Sequence, residues 1–351
     1  MTQPAIVFAD GLFQGKLAKT AHGLVRGSER FRVVGVVDHM LAGRDAGEVL
    51  DGKARGIPIF ASLGEALAQA PVKPEVCIVG VATHGGVLPD DLRQGLLEAA
   101  DAGLDLVNGL HQLLGDDAEF CERVAAGGGR IIDIRRPPPV KDLRFWSGAV
   151  LSMSTPRIAI LGTDCAMGKR TTCCFLLDAC RENGIDARMI YTGQTGWLQG
   201  ISHGFIFDAT PNDFVCGELE RALLACEEEL SPELILIEGQ SSLRNPAGPC
   251  GAEFIISGGA RGVILQHAPA RHCFDDLEDM DCVIPPLSEE IALIRLLGGE
   301  VLAITLNEQG LDEASAAQTQ LDMQSELDLP VLRPLHDGMS PCVPIVRAFL
   351  D

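Results

Sequence analysis

No apolar run in these 351 residues approaches the roughly 20 that a bilayer-spanning helix needs, so no membrane span is expected. The opening, MTQPAIVFADGLFQGK, lacks a basic region followed by an apolar one. No secretory signal is therefore expected, and the protein is expected in the cytoplasm. Positive charge is scarce: 28 basic residues against 49 acidic ones leave a net charge of −21. That deficit argues against a nucleic-acid or membrane-surface partner, since both want basic patches. An anionic small molecule would have to be caught by local Arg, Lys and backbone N–H groups. None of the 12 cysteines forms a C-x-x-C pair. Cys77, Cys173, Cys174 and Cys180 fall within apolar patterns, where thiols act as small hydrophobes, so reduced core thiols are expected. Clustered Cys/His spacing for zinc is also missing, and no metal site is expected.

What is present is a soluble, globular composition, 46% apolar and 22% charged, long enough for two domains. The first segment alternates strand and helix patterns. AIVFAD, FRVVGVVD, IPIF, EVCIVGVA, LDLVNGL and RIIDIR read as strands, and LRQGLLEAADAGL reads as a helix. Asp38 ends the second strand, where a dinucleotide-binding fold holds ribose. The first turn, however, reads DGLFQGK and not G-x-G-x-x-G, so the signal for a nicotinamide cofactor is weak. Residues 137–156, PPPVKDLRFWSGAVLSMSTP, disfavour helix and read as a connection. A second alternation follows: RIAIL, a helix over about 169–182, ARMIYTG, ELILIEG, GVILQHA, DCVIPP and EVLAITL. The expected fold is α/β with two mostly parallel, doubly wound sheets, over residues 1–140 and 157–351, joined by a linker over 141–156.

Within the second alternation, ILGTDCAMGKRTT (160–172) has the strand, glycine turn and helix of a phosphate-binding loop. Five residues separate Gly162 from Gly168, one more than usual, which leaves Thr163 in the first-glycine slot. Backbone N–H groups of such a turn cradle phosphate oxygens, and Lys169 adds a charge. The bland alternative is a strand-turn-helix junction with chance glycines. The position after the lysine normally supplies a hydroxyl for Mg²⁺, but here it is Arg170. A guanidinium cannot ligate the metal, although it can grip phosphate bidentately. Either Thr171 or Thr172 would have to rotate in to restore a metal ligand. A loop without magnesium suits holding a nucleotide more than cleaving it.

Other polar residues follow the apolar strands, at the rim where α/β sheets bind ligands. Glu238 ends LILIE and reads as a general base or as a capping carboxylate. TGQTG brings Gly193, Gln194, Thr195 and Gly196 to the same rim. QHAPAR adds His267 and Arg271, and SSLRNP adds Arg244. His267 reads equally as a structural or a functional residue.

Taken together, GTDCAMGKRTT, TGQTG, IEGQSSLRNP and QHAPAR resemble a bacterial and archaeal family long of unknown function. KTAHGL, GVATHGG, GLDLVNGLHQLL and DIRRPP extend the resemblance over nearly the whole chain. That family joins an N-terminal Rossmann-like domain to a C-terminal P-loop NTPase-like domain. Its members are described as D-glutamate N-acetyltransferases, which move acetyl from acetyl-CoA to an amine in D-amino-acid breakdown. The loop alone also looks like that of dethiobiotin synthetase, where a Thr follows the lysine.

The resemblance implies acetyl transfer to an acidic D-amino acid. Gly162, Thr163, Asp164, Cys165, Ala166, Met167, Gly168, Lys169, Arg170, Thr171 and Thr172 would then hold the phosphates of coenzyme A. Glutamate's carboxylates call for arginine, and the candidates are Arg135, Arg136, Arg244 and Arg271. Glu238 and His267 are the first choices for the base, with Asp213 third. TGQTG or GVATHGG could supply oxyanion donors. Cys165 is a remote candidate for an acyl-carrying nucleophile. A Mg·ATP-dependent ligase or kinase, with Thr171 on the metal, is the rival reading. Small molecules are the expected partners, and a homo-oligomer is the expected assembly.

Overall fold

Two apolar cores, one in each half of the chain, organise the computed structural model, which describes residues 2–351 apart from the side chain of His84. One unit comprises the chain up to Pro138 together with Gln194–Ile201; the other comprises Pro139–Gly193 and Ser202–Asp351.

The first unit is built on β1 (Gln3–Phe8), β2 (Phe31–Val37), β3 (Ile59–Phe60), β4 (Val76–Val79), β5 (Asp105–Asn108) and β6 (Ile131–Asp133). All pair in parallel, in the order β3-β2-β1-β4-β5-β6. This is the doubly wound Rossmann order. β4 is buried along its whole length, as its unbroken apolar run VCIV requires for a parallel strand covered on both faces. Asp38, however, is buried and accepts the backbone N–H groups of Phe13 (2.9 Å) and Met40 (3.0 Å). Its carboxylate ties the β1 loop to the β2 loop.

The second unit carries β7 (Arg157–Gly162), β8 (Ala187–Tyr191), β9 (His203–Gly204), β10 (Leu234–Glu238), β11 (Gly262–His267), β12 (Glu300–Leu306) and β13 (Val331–Leu332). Their order is β13-β12-β11-β7-β10-β8-β9, again parallel throughout. The chain winds from β7 out to β8, returns to β10 beside β7, and then crosses to β11 on the other flank. The carboxyl end of β7 is therefore a topological switch point, where ligands of open α/β sheets bind.

Two segments depart from the sequence-based expectations. DCVIPP forms no strand; it contributes a single bridge between Val283 and Cys273, and the two prolines that follow supply no N–H groups for a ladder. TGQTG is split: Gly193 stays at the second sheet, whereas Gln194–Gln199 forms a helix packed into the first unit. There the Arg30 guanidinium lies 4.1 Å from the Trp197 ring centroid and donates to the Trp197 carbonyl (2.7 Å). Residues 139–156 lie on the helix Asn212–Leu230. Glutamates of that helix accept their backbone N–H groups: Glu218 from Arg144 (3.1 Å), Glu220 from Ser147 (2.7 Å) and Val150 (3.1 Å), and Glu227 from Thr155 (2.8 Å). A segment without a strand partner still needs acceptors, and the carboxylates provide them. No helix among the described residues is long and apolar enough to cross a membrane.

Candidate active site

β7 ends at Gly162, the loop Thr163–Gly168 follows, and the helix Lys169–Glu182 begins at once. Ala166 takes a left-handed φ of 51°, which few non-glycine residues adopt and which lets so short a loop reverse direction. Asp164 organises the loop from inside. It is fully buried, and its carboxylate accepts from Cys165 N (2.7 Å), Asn245 Nδ2 (2.9 Å), Arg271 Nη1 (2.8 Å) and Asp275 N (2.8 Å). Asn307 Nδ2 donates to the Met167 carbonyl (3.0 Å), and Thr163 N donates to the Gln266 carbonyl (3.0 Å). The segments after β10, β11 and β12 thus all clasp the loop.

Lys169 is buried, and its ammonium donates to the carbonyls of Asp164 (2.6 Å) and Ser241 (2.7 Å). Ser241 is a second non-glycine residue at positive φ (38°), so strained backbone supplies one of the lysine's acceptors. Arg170 is half-buried in the first helical turn, and Thr171 beside it is half-buried too. Thr172 turns into the fold and donates to Gln266 Oε1 (2.6 Å), which also accepts from Thr305 (2.8 Å). Of the two threonines, Thr172 thus has its hydroxyl committed to the sheet.

Glu238 ends β10 in register with Ile160 of β7, and it is buried. Its Oε2 accepts from Thr192 N (3.0 Å), and the Thr192 hydroxyl donates to its main-chain carbonyl (2.8 Å). Burial raises the pKa of the carboxyl. The Arg170 charge, the N–H groups of Thr192 and Gly193, and the Lys169 charge pull the other way without cancelling that effect. Gly193 packs closely beside this carboxylate: a Cβ there would stand 3.0 Å from Gln240 Nε2 and 3.9 Å from Glu238 Oε1.

His267 ends β11, one residue past the Gln266–Gly162 register pair. Its Nδ1 shares a 3.0 Å hydrogen bond with the Thr163 hydroxyl, and burial lowers its pKa to about 4. The ring is therefore neutral near pH 7 and braces the glycine loop. Cys165 has its thiol pushed up to about 11 by burial and by the Asp164 carboxylate, which leaves little thiolate for nucleophilic work. Asp213 is exposed in the first turn of the helix Asn212–Leu230.

The arginines are occupied in different places. Arg271 bonds to the loop itself, through the Asp164 carboxylate and the Cys165 carbonyl (2.8 Å each). Arg244 is held by Glu290 (2.6 Å), Glu289 (2.7 Å) and the Pro286 carbonyl (3.2 Å). Arg135 and Arg136 lie in the first unit, where Arg135 donates to the Gly109 carbonyl and Arg136 pairs with Asp116 (2.7 Å) and Asp133 (3.5 Å).

Residues 144–343 match the sequence pattern of the P-loop domain of DUF1611, a domain of unknown function, and residues 39–137 match its N-terminal Rossmann-like domain. The chain belongs to the DUF1611 family. A crystal structure of a DUF1611 protein from Anabaena variabilis superposes with a TM-score of 0.89 at 30% identity, covering 99% of this chain and 100% of that one. A curated relative from Tritonibacter scottomollicae, named D-glutamate N-acetyltransferase, is 28% identical over 77% of this chain and 80% of its own. A second of the same name, from a Pseudoalteromonas species, is 27% identical over 76% of this chain and 79% of its own.

Within this DUF1611 chain, Asn245, Asn307, Gln266 and Thr192 also hold the site. Thr192, Asn245 and Gln266 lie inside TGQTG, IEGQSSLRNP and QHAPAR, whose spacing gives them no role, and Asn307 lies outside every motif. Each does follow or end an apolar strand run, which is the one signal that could have found them.

Proposed function

We propose that this protein moves acetyl from acetyl-CoA to the amine of an acidic D-amino acid, D-glutamate foremost, in D-amino-acid breakdown. One juxtaposition carries the reading: a clasped phosphate loop with Arg170 in place of the metal-ligand hydroxyl, beside a buried carboxylate, Glu238, on which the Arg170 charge acts. The names of the two curated relatives support the same chemistry.

Coenzyme A carries a pyrophosphate and a 3′-phosphate, which need N–H groups and cations. The loop backbone, Lys169 and Arg170 would serve them. A raised pKa makes Glu238 a better proton acceptor near neutral pH than an ordinary carboxylate. Glu238 takes a proton from the substrate ammonium, and the freed amine attacks the thioester carbonyl. The tetrahedral oxyanion is met by backbone N–H groups at the strand ends. Collapse to the neutral amide also sheds the second proton of the attacking nitrogen and expels the thiolate of coenzyme A. Of the two protons that nitrogen loses, one reaches the thiolate through Glu238 and the other leaves to solvent, and nothing is oxidised.

Thermal stabilisation by ligands tests the reading. Acetyl-CoA in EDTA should raise the Tm of the full chain. A response to Mg·ATP alone would replace acetyl transfer with a metal-dependent ligase or kinase.

A further inference from the structure

A cavity of about 380 Å³ opens between the segments that follow β11 and β12, and no step of the acetyl transfer above uses it. Its lining includes Ala270, Arg271, Asp275, Glu278, Gln309 and Gly310. We infer that it is the adenine-nucleoside subsite of the ligand whose phosphates rest on the glycine loop, an inference that builds on the acetyl-CoA reading.

Position supports this first. The cavity wall and the loop share residues: Arg271 bonds to the Cys165 carbonyl, and Asp275 N bonds to the Asp164 carboxylate, at 2.8 Å each. Asn307 joins the other side, donating to the Met167 carbonyl (3.0 Å) and accepting from Gln309 N (2.9 Å). A group one sugar away from a phosphate on this loop falls within reach of the cavity.

Chemistry then selects the group. Asp275 and Glu278 repel phosphate and accept N–H, as the exocyclic amine of adenine offers. The Gln309 side chain can both donate and accept along the base edge. The volume lies at the small end of the ~300–1,000 Å³ range of ligand pockets, enough for a base and its sugar but not for a whole coenzyme A. Gly310 keeps the space open: it has a φ of +88°, and a Cβ there would stand 3.1 Å from that of Ala270.

Calorimetry of the full chain with two probes tests the assignment: adenosine 3′,5′-bisphosphate, which has base and phosphates, and inorganic pyrophosphate, which has no base. Ala270→Trp fills the cavity and should weaken adenosine 3′,5′-bisphosphate by about tenfold or more, while pyrophosphate stays within about twofold. Gln309→Ala, an exposed truncation that spares folding, should weaken the bisphosphate roughly threefold to tenfold, the worth of one neutral hydrogen bond. Lys169→Ala should weaken both probes. If Lys169→Ala weakens the bisphosphate and neither cavity variant does, the base lies elsewhere, and the subsite is overturned while acetyl transfer stands. If the parent chain binds neither probe, the subsite and the acetyl-CoA reading fall together.

Discussion

Glu238 and Thr192 hold each other twice, the carboxylate accepting the Thr192 N–H at 3.0 Å and the Thr192 hydroxyl donating to the Glu238 carbonyl at 2.8 Å. The acid is thereby fixed at the end of β10 against the end of β8, and its orientation does not depend on a substrate.

Glu238→Gln keeps that shape and removes the basic oxygen. It should lower kcat by roughly 10²–10⁴-fold, the usual contribution of a general base, with the KM for acetyl-CoA little changed. Steady-state kinetics check this. A loss confined to KM would make Glu238 a binding residue only.

The same group sets a pH dependence. Its pKa is raised in the folded chain, so activity should fall, as pH drops, at a higher pH than an ordinary carboxylate would give. Stability follows the complementary rule. The buried charge costs stability above the folded pKa, and the cost vanishes below the unfolded one, where both states are protonated. Glu238→Gln should therefore have a higher Tm than the parent near about pH 8, with the gap closing near about pH 4. Thermal melts across that range test it, and an equal gap at both ends would contradict it.

His267 behaves oppositely. Its pKa drops from 6.5 to about 4 on folding, so the unfolded chain takes up a proton first as pH falls between those values. Stability should decline across that window, and His267→Asn should flatten the decline in urea titrations. If His267→Ala abolishes turnover and Glu238→Gln does not, the base is the imidazole.

Lys169→Ala removes charge-assisted contacts to phosphate. It should raise the KM for acetyl-CoA, by about 1.5–3 kcal/mol in free energy, more than that for the amino acid. Equal rises in both KM values would assign the lysine to holding the Asp164 and Ser241 carbonyls instead.

Asp164→Ala breaks a buried ion pair with Arg271 and strands three other donors. Urea unfolding should show a loss of about 3–5 kcal/mol. A neutral result would mean that the loop holds its shape without its central carboxylate.

Both parallel sheets are legible in the sequence because strands covered on both faces read as unbroken apolar runs such as VCIV and LILI. The glycine loop is legible because RIAIL, Gly168 and Lys169 fall within one stretch, residues 157–169. The clasp around Asp164 is not, since Asn245, Arg271 and Asp275 meet it across 81, 107 and 111 residues of chain. Nor is the placement of Gln194–Gln199 legible, because a six-residue helix gets its partner from packing and not from its own periodicity. Arg244 looks free in SSLRNP, yet Glu289 and Glu290, far along the chain, hold it.

Turnover in EDTA tests acetyl transfer most directly. With acetyl-CoA and D-glutamate, the free thiol of coenzyme A should appear together with N-acetyl-D-glutamate, at the same rate with EDTA as with Mg²⁺. No thiol release under either condition, with ATP consumed only when Mg²⁺ is present, would contradict it.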